Sequence, residues 1–194
     1  MGFVDKFLAF FDGDTEKDKQ SIVKPESDTD KIENAQDKTA KEKGDAFENY
    51  VIGKFDRRFF RLKDMRSDKG SNGFYPESNK YPDLVLEYKP ASSSFAVECK
   101  WRSYWHIKND GKENINWAGG DKKLQNYNDY SMKNNIPVFV IIGIGGEPDN
   151  PDELFVVPLS ALKYSYADKH YLCDFIKKDK GKNFFFDVNR VTLK

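Results

Sequence analysis

Asp83, Glu98 and Lys100 combine residue types and spacing that could hold a cation and handle a proton. Asp83 stands at the mouth of Leu84-Val-Leu-Glu-Tyr88, and Glu98 and Lys100 lie within Phe95-Ala-Val-Glu-Cys-Lys-Trp101. Both segments are rich in branched and aromatic residues, and Lys89-Pro-Ala-Ser-Ser-Ser94 between them supplies turn chemistry, so Tyr81 to Trp101 reads as a β-hairpin. Side chains alternate along a strand, which puts Ala96, Glu98 and Lys100 on one face and Phe95, Val97 and Cys99 on the other. Pairing Tyr88 with Phe95 would set Asp83 opposite Lys100 and Val85 opposite Glu98, with Asp83 and Glu98 diagonal neighbours. A loop of this length leaves the register open, and a slip of one residue would part the cluster. Two carboxylates and an ammonium crowded on a buried sheet suffer desolvation and mutual repulsion, and a divalent cation would relieve both.

These residues need a sheet and helices to hold them. Thr39-Ala-Lys-Glu42 fits a capping box and opens a helix expected to run to about Arg58. On it Glu48, Val51, Ile52 and Phe55 follow i, i+3, i+4 and i+7, so a carboxylate shares the apolar face; an exposed glutamate at the edge of the stripe gives the same pattern. Phe59-Phe-Arg-Leu62 is expected to be the first strand, and Ser67 to Lys80 a long Gly/Ser/Asn-rich loop that could lie over a substrate. Arg102 to Trp117 reads as an irregular excursion, in which His106 has the composition of a structural residue more than of a catalytic one. After Gly119-Gly120 a helix is expected over Asp121 to Lys133, carrying Lys123, Tyr127 and Tyr130 on one face.

Ile136 to Gly143 is a continuous apolar run of the buried-strand type and Leu154 to Val157 a shorter one, which suggests a helical crossover onto the central sheet. Gly143-Ile-Gly-Gly146 has no following Gly-Lys-Ser/Thr and reads as a turn. Short helices near Leu159 to Tyr164 and Lys169 to Lys177, then strands at Phe184 to Phe186 and Arg190 to Leu193, complete the expected domain.

Before it, Met1 to Phe11 carries Phe3, Val4, Phe7, Leu8, Phe10 and Phe11 at helical spacing. Such a stripe packs on its own domain, on a second copy or other protein partner, or lies on a membrane surface. Asp12 to Lys38 is a mixed-charge stretch too poor in apolar residues to order itself, which divides the chain into an arm (1–38) and a globular domain (39–194).

Acidic and basic residues balance at 32 each, so no overall basic field advertises nucleic acid and a local patch would have to serve. Lys54, Arg57, Arg58, Arg61, Lys63, Arg66 and Lys69, with Phe55, Phe59 and Phe60 interleaved, are the clearest candidates for phosphate contacts. A solvated face beside a buried strand would look the same. Lys177 to Lys182 is a second, smaller basic cluster. Cys99 and Cys173 lie far apart without a C-x-x-C, arguing against a disulfide framework or structural zinc. With no apolar run of about 18 residues and no secretory signal, a cytoplasmic protein without a membrane span is expected.

Tyr81-Pro-Asp83, fourteen intervening residues and Glu98-Cys-Lys100 resemble the signature of the PD-(D/E)xK nuclease superfamily. The resemblance implies an α/β, restriction-endonuclease-like core: a central mixed β-sheet flanked by helices, here with an N-terminal helical arm. It also implies a Mg2+- or Mn2+-dependent endo- or exonuclease acting on DNA, with RNA not excluded. Gly44-Asp-Ala-Phe-Glu48 resembles the family's first core helix and makes Glu48 a metal or water-positioning ligand. Asp83, Glu98 and the Cys99 backbone carbonyl would supply hard oxygen donors, with Glu48 completing the set. Lys100 would orient or help deprotonate the attacking water, its pKa depressed by the adjacent cation. Relatives resembling the RecB-type exonucleases carry Q-h-x-x-Y on the next helix. This chain has Lys123-Leu-Gln-Asn-Tyr127, with Lys123 in the glutamine place and Gln125 two positions on, so these three are accessory candidates. The alternative is an inactive module on the same fold that binds nucleic acid or a protein partner.

Overall fold

Alternation of side chains along the apolar strands sorts them into two cores, one on each side of a single sheet. In the computed structural model, which describes residues 28–65 and 81–194 with side chains from residue 39 onward, the order begins α1 (Asp28–Gly53), β1 (Phe60–Met65), β2 (Leu84–Tyr88) and β3 (Ser93–Arg102). It continues β4 (His106–Ile107), β5 (Glu113–Asn116), α2 (Asp121–Asn134), β6 (Val138–Ile144), β7 (Glu153–Pro158), β8 (Tyr166–Asp168), α3 (Lys169–Leu172), β9 (Phe186–Asp187) and β10 (Thr192–Leu193). The expected N-terminal amphipathic helix, Arg66, Lys69 and the loop before Tyr81 lie outside the described residues.

Five strands form the central sheet in the order β1-β2-β3-β6-β7; β3 and β6 run parallel and the other neighbours antiparallel. The parallel pair requires a crossover, and α2 makes it. β6 is buried along its whole length because both of its faces are covered. Val138, Val140, Ile142 and Ile144 pack with Leu124, Tyr127 and Tyr130 of α2, while Phe139 and Ile141 pack with Phe47 and Val51 of α1. The chain is therefore α/β, with a mixed sheet flanked by helices, as expected.

Several elements differ from the sequence expectation. Helix α1 begins at Asp28, upstream of Thr39, so the capping-box residues lie inside it; it ends at Gly53, short of Arg58, where Lys54 and Phe55 donate to the Val51 and Ile52 carbonyls. The excursion after β3 contains β4 and β5, which pair with each other, and β5 pairs with β8 to make a small three-stranded sheet. These strands are too short to leave a periodic signature. The expected helix at Leu159 to Tyr164 is a 3-10 turn over Leu159–Ala161, and that at Lys169 to Lys177 is α3 followed by a 3-10 turn over Cys173–Phe175. Gly143 and Ile144 finish β6, so the glycine turn is confined to Gly145 and Gly146, with φ of 69° and 55°. Gly143 serves packing: a methyl group there would lie 2.5 Å from the Phe47 ring.

Candidate active site

Tyr88 pairs with Ser93 and Leu84 with Val97, a register shifted by two residues from the one anticipated. A shift of two preserves the faces, and it brings Asp83 level with Glu98 rather than with Lys100. The shift follows from a tighter loop. A 3-10 turn over Lys89–Ala91 is closed by Ser92 in the left-handed region at φ 49°, and β3 begins at Ser93.

Because β2 begins only at Leu84, Cys99 has no ladder partner on that side, and its N–H donates instead to Asp83 Oδ2 at 2.8 Å. Asp83 thus sits at the end of the sheet, where the two faces meet. Burial raises its pKa well above the usual carboxylate value; Glu98 and, less strongly, Glu48 add to the rise, while Lys100 and the Cys99 N–H oppose it. The Cys99 thiol is held well above its ordinary value by burial, then by Asp83, Glu48 and Glu98, which leaves it a neutral core group. Glu48, half-buried on α1, therefore acts electrostatically on both Asp83 and Cys99, raising the pKa of each.

Glu98 faces the α2 side and is fully buried. Its Oε1 is ion-paired with Lys100, accepts a 2.5 Å hydrogen bond from the Tyr127 hydroxyl and lies 3.9 Å from Lys123 Nζ. Its Oε2 is buried and accepts no hydrogen bond. An unpaired buried carboxylate oxygen is costly, and a hard cation is the group that would satisfy it. Burial lowers the pKa of Lys100, but Glu98 and Asp83 outweigh burial and the net shift is upward, so without a cation Lys100 is an ammonium rather than a base. Among the described residues, no three His, Cys, Asp or Glu side chains gather closely enough to form a ready-made metal cage. The donor types nonetheless suit Mg2+ or Mn2+: two carboxylates at one level of a hairpin, one of them with a free oxygen.

The accessory candidates separate. Tyr127 is buried against Trp117 and bonded to Glu98, and Lys123 reaches the same carboxylate, while Gln125 turns outward to Asp129 at 2.7 Å. Arg102 was missed. It continues the Glu98–Lys100 alternation on β3, its guanidinium donates to the Trp101 and Asn116 carbonyls at 2.9 and 3.2 Å, and burial lowers its pKa while Glu98 raises it. The i, i+2, i+4 spacing on a strand was the signal that could have found it.

The described part of the basic run, Lys54 to Lys63, is not brought to the carboxylates. Arg61 pairs with Glu87 in the β1–β2 ladder, four residues from Asp83 and so about 13 Å along the strand. Its guanidinium lies 3.5 Å from the Glu87 carboxylate, and Arg58 is bound to Asp56 at 2.6 Å. The Arg57 carbonyl accepts from Lys89 Nζ at 2.6 Å, Lys63 Nζ lies 3.5 Å from Ser94 Oγ, and Lys54 Nζ lies 3.4 Å from the Gly181 carbonyl, beside the second basic cluster. Cys99 is a buried and Cys173 an exposed free thiol, and among the described residues no helix is long and apolar enough to cross a membrane.

No family model and no curated protein matches the chain. Among solved structures it is similar to Hjc, a Holliday junction resolvase from the archaeal hyperthermophile Archaeoglobus fulgidus, at 13% identity and a TM-score of 0.47, over 67% of this chain and 92% of that one.

Proposed function

We propose that this chain is a Mg2+- or Mn2+-dependent phosphodiesterase acting on DNA, with its hydrolytic centre at Asp83, Glu98 and Lys100. The observation that carries the reading is the level placement of Asp83 and Glu98 at the end of the β2–β3 hairpin, with Glu98 Oε2 buried and unbonded. Asp83 and Glu98 would hold the cation, Glu48 and the Cys99 carbonyl being the further donors. Bound there, a divalent cation would neutralise charge developing on the phosphoryl oxygens and lower the pKa of a water molecule. Lys100, protonated and paired with Glu98, is suited to orienting the attacking water and to balancing phosphate charge. Lys123 adds a second ammonium at the rim, and Tyr127 fixes the Glu98 carboxyl so that its free oxygen keeps one direction.

A specific observation favours a second reading. Glu98 already has an ammonium and a hydroxyl on one oxygen, and the described residues hold no ready-made three-ligand cage. A non-catalytic nucleic-acid- or protein-binding module would keep such a network for stability alone. Incubation with linear, nicked, branched and single-stranded DNA in Mg2+ or Mn2+ separates the two. The wild type is expected to cut at least one of them, and Asp83→Asn to lower the rate by about a hundredfold or more. Absence of cutting on every substrate, or undiminished cutting by Asp83→Asn, would sink the catalytic reading.

A further inference from the structure

At the entry to β8, on the side of the sheet covered by α2, Tyr164 in the preceding bend and Tyr166, the first residue of the strand, lie two residues apart. Their rings stack at 5.5 Å with planes 16° apart, yet remain 60% and 49% exposed. Tyr171, whose hydroxyl donates to the Ala161 carbonyl at 2.6 Å, shares with them a cavity of about 470 Å³ that Lys108, Lys163 and Asp168 also line. Lys108 Nζ stands 5.3 Å over the Tyr166 ring and 2.8 Å from Asp168 Oδ1, so the carboxylate holds an ammonium against the aromatic face.

Flat π-surface in a cleft lined by ammonium groups matches a planar heterocycle joined to phosphate, because stacking recognises the ring face and the lysines recognise the backbone charge. The size is that of a small-ligand cleft. The cavity is also mechanically joined to the candidate active site. The Tyr164 carbonyl accepts from Trp117 Nε1 at 2.9 Å, the Trp117 ring stacks on Tyr127 at 6.3 Å, and the Tyr127 hydroxyl is bonded to Glu98. A strand held on the tyrosines would thus be anchored to the same aromatic column that positions the carboxylate.

We propose that this cavity binds an unpaired nucleobase of a DNA strand, stacked on the exposed Tyr164 ring, which Tyr166 backs, with Lys163 towards a flanking phosphate. Single-stranded or frayed DNA is then the preferred form of the substrate. The inference rests on the nuclease reading above and narrows its substrate class, but binding and cutting can be measured apart.

The test is fluorescence anisotropy of the full chain, in chelator so that nothing is cut, with a labelled oligothymidylate, an abasic strand of equal length and charge, and a duplex. The wild type is expected to hold the oligothymidylate about tenfold more tightly than the abasic strand, and more tightly than the duplex. The Tyr164→Ala/Tyr166→Ala variant should lose the preference for bases and Tyr164→Phe/Tyr166→Phe should keep it. Equal wild-type affinity for the base-bearing and abasic strands, duplex binding as tight as single-strand binding, or an intact preference in the alanine variant would overturn the proposal. A wild type that cuts DNA but does not distinguish the two strands refutes the base site alone. One that binds bases through the tyrosines and never cuts in Mg2+ or Mn2+ refutes the nuclease reading alone.

Discussion

At Asp83, burial and the neighbouring Glu98 and Glu48 favour the protonated acid against the opposing pull of Lys100 and the Cys99 N–H. An acid whose pKa is raised on folding binds more protons folded than unfolded, so its contribution to stability is present at low pH. It is lost as pH rises from the ordinary 3.8 towards the folded value. The metal-free wild type should therefore lose stability relative to Asp83→Asn as pH rises from 3.8 towards neutrality. At the upper end the variant is expected to melt on the order of 3 °C higher, since the amide oxygen can still accept from Cys99 while its repulsion by Glu98 is gone. Thermal melts of both proteins across that range in chelator check the sign, and a constant difference would mean that Asp83 does not titrate there. The same residue shows what was legible beforehand. Alternation alone placed Glu98 and Lys100 on one face and Cys99 on the other, and the structure agrees. The alignment of Asp83 with Glu98 was not legible, because register depended on the tight turn and on Ser92 in the left-handed region.

Among the elements, α2 does most to fix the Glu98 carboxylate. It is the crossover between the parallel strands β3 and β6, so its buried Tyr127 must fall over the middle of β3, where Glu98 is. Replacing Tyr127 by Phe keeps the ring against Trp117 and removes only the hydroxyl. It should cost about 1–3 kcal/mol in chemical denaturation, because Glu98 loses a buried donor, and slow any DNA cleavage by loosening the carboxylate. A change below about 0.5 kcal/mol would mean that the hydroxyl bond contributes little in solution. The spacing of Tyr127 and Tyr130 made this helix legible, but the tyrosine's bond to Glu98 required knowing which strand the helix crosses. The upstream half of α1 and the β4–β5–β8 sheet were missed for a different reason. The former lacks an apolar stripe, and the strands of the latter are two to four residues long and find partners only across the fold.

For the whole molecule, balanced charge means that any attraction to DNA comes from local patches. Arg57 and Arg61 lie at the end of β1 and β2 away from Asp83, so they could steady a flanking stretch of DNA without touching the reacting phosphate. Their joint replacement by alanine should reduce the salt dependence of DNA binding by one to two units of slope, roughly one per lost phosphate contact. The cleavage rate at saturating DNA should stay within about twofold. A fall in the saturated rate instead would place these arginines in the reacting site, contrary to the ladder register. The central claim concerns the cation, and direct titration of the full chain with Mn2+ followed by calorimetry tests it most plainly. One site in the wild type at submillimolar to millimolar metal, abolished in Asp83→Ala, is the predicted result; no binding at millimolar Mn2+, or equal binding by the variant, would contradict it.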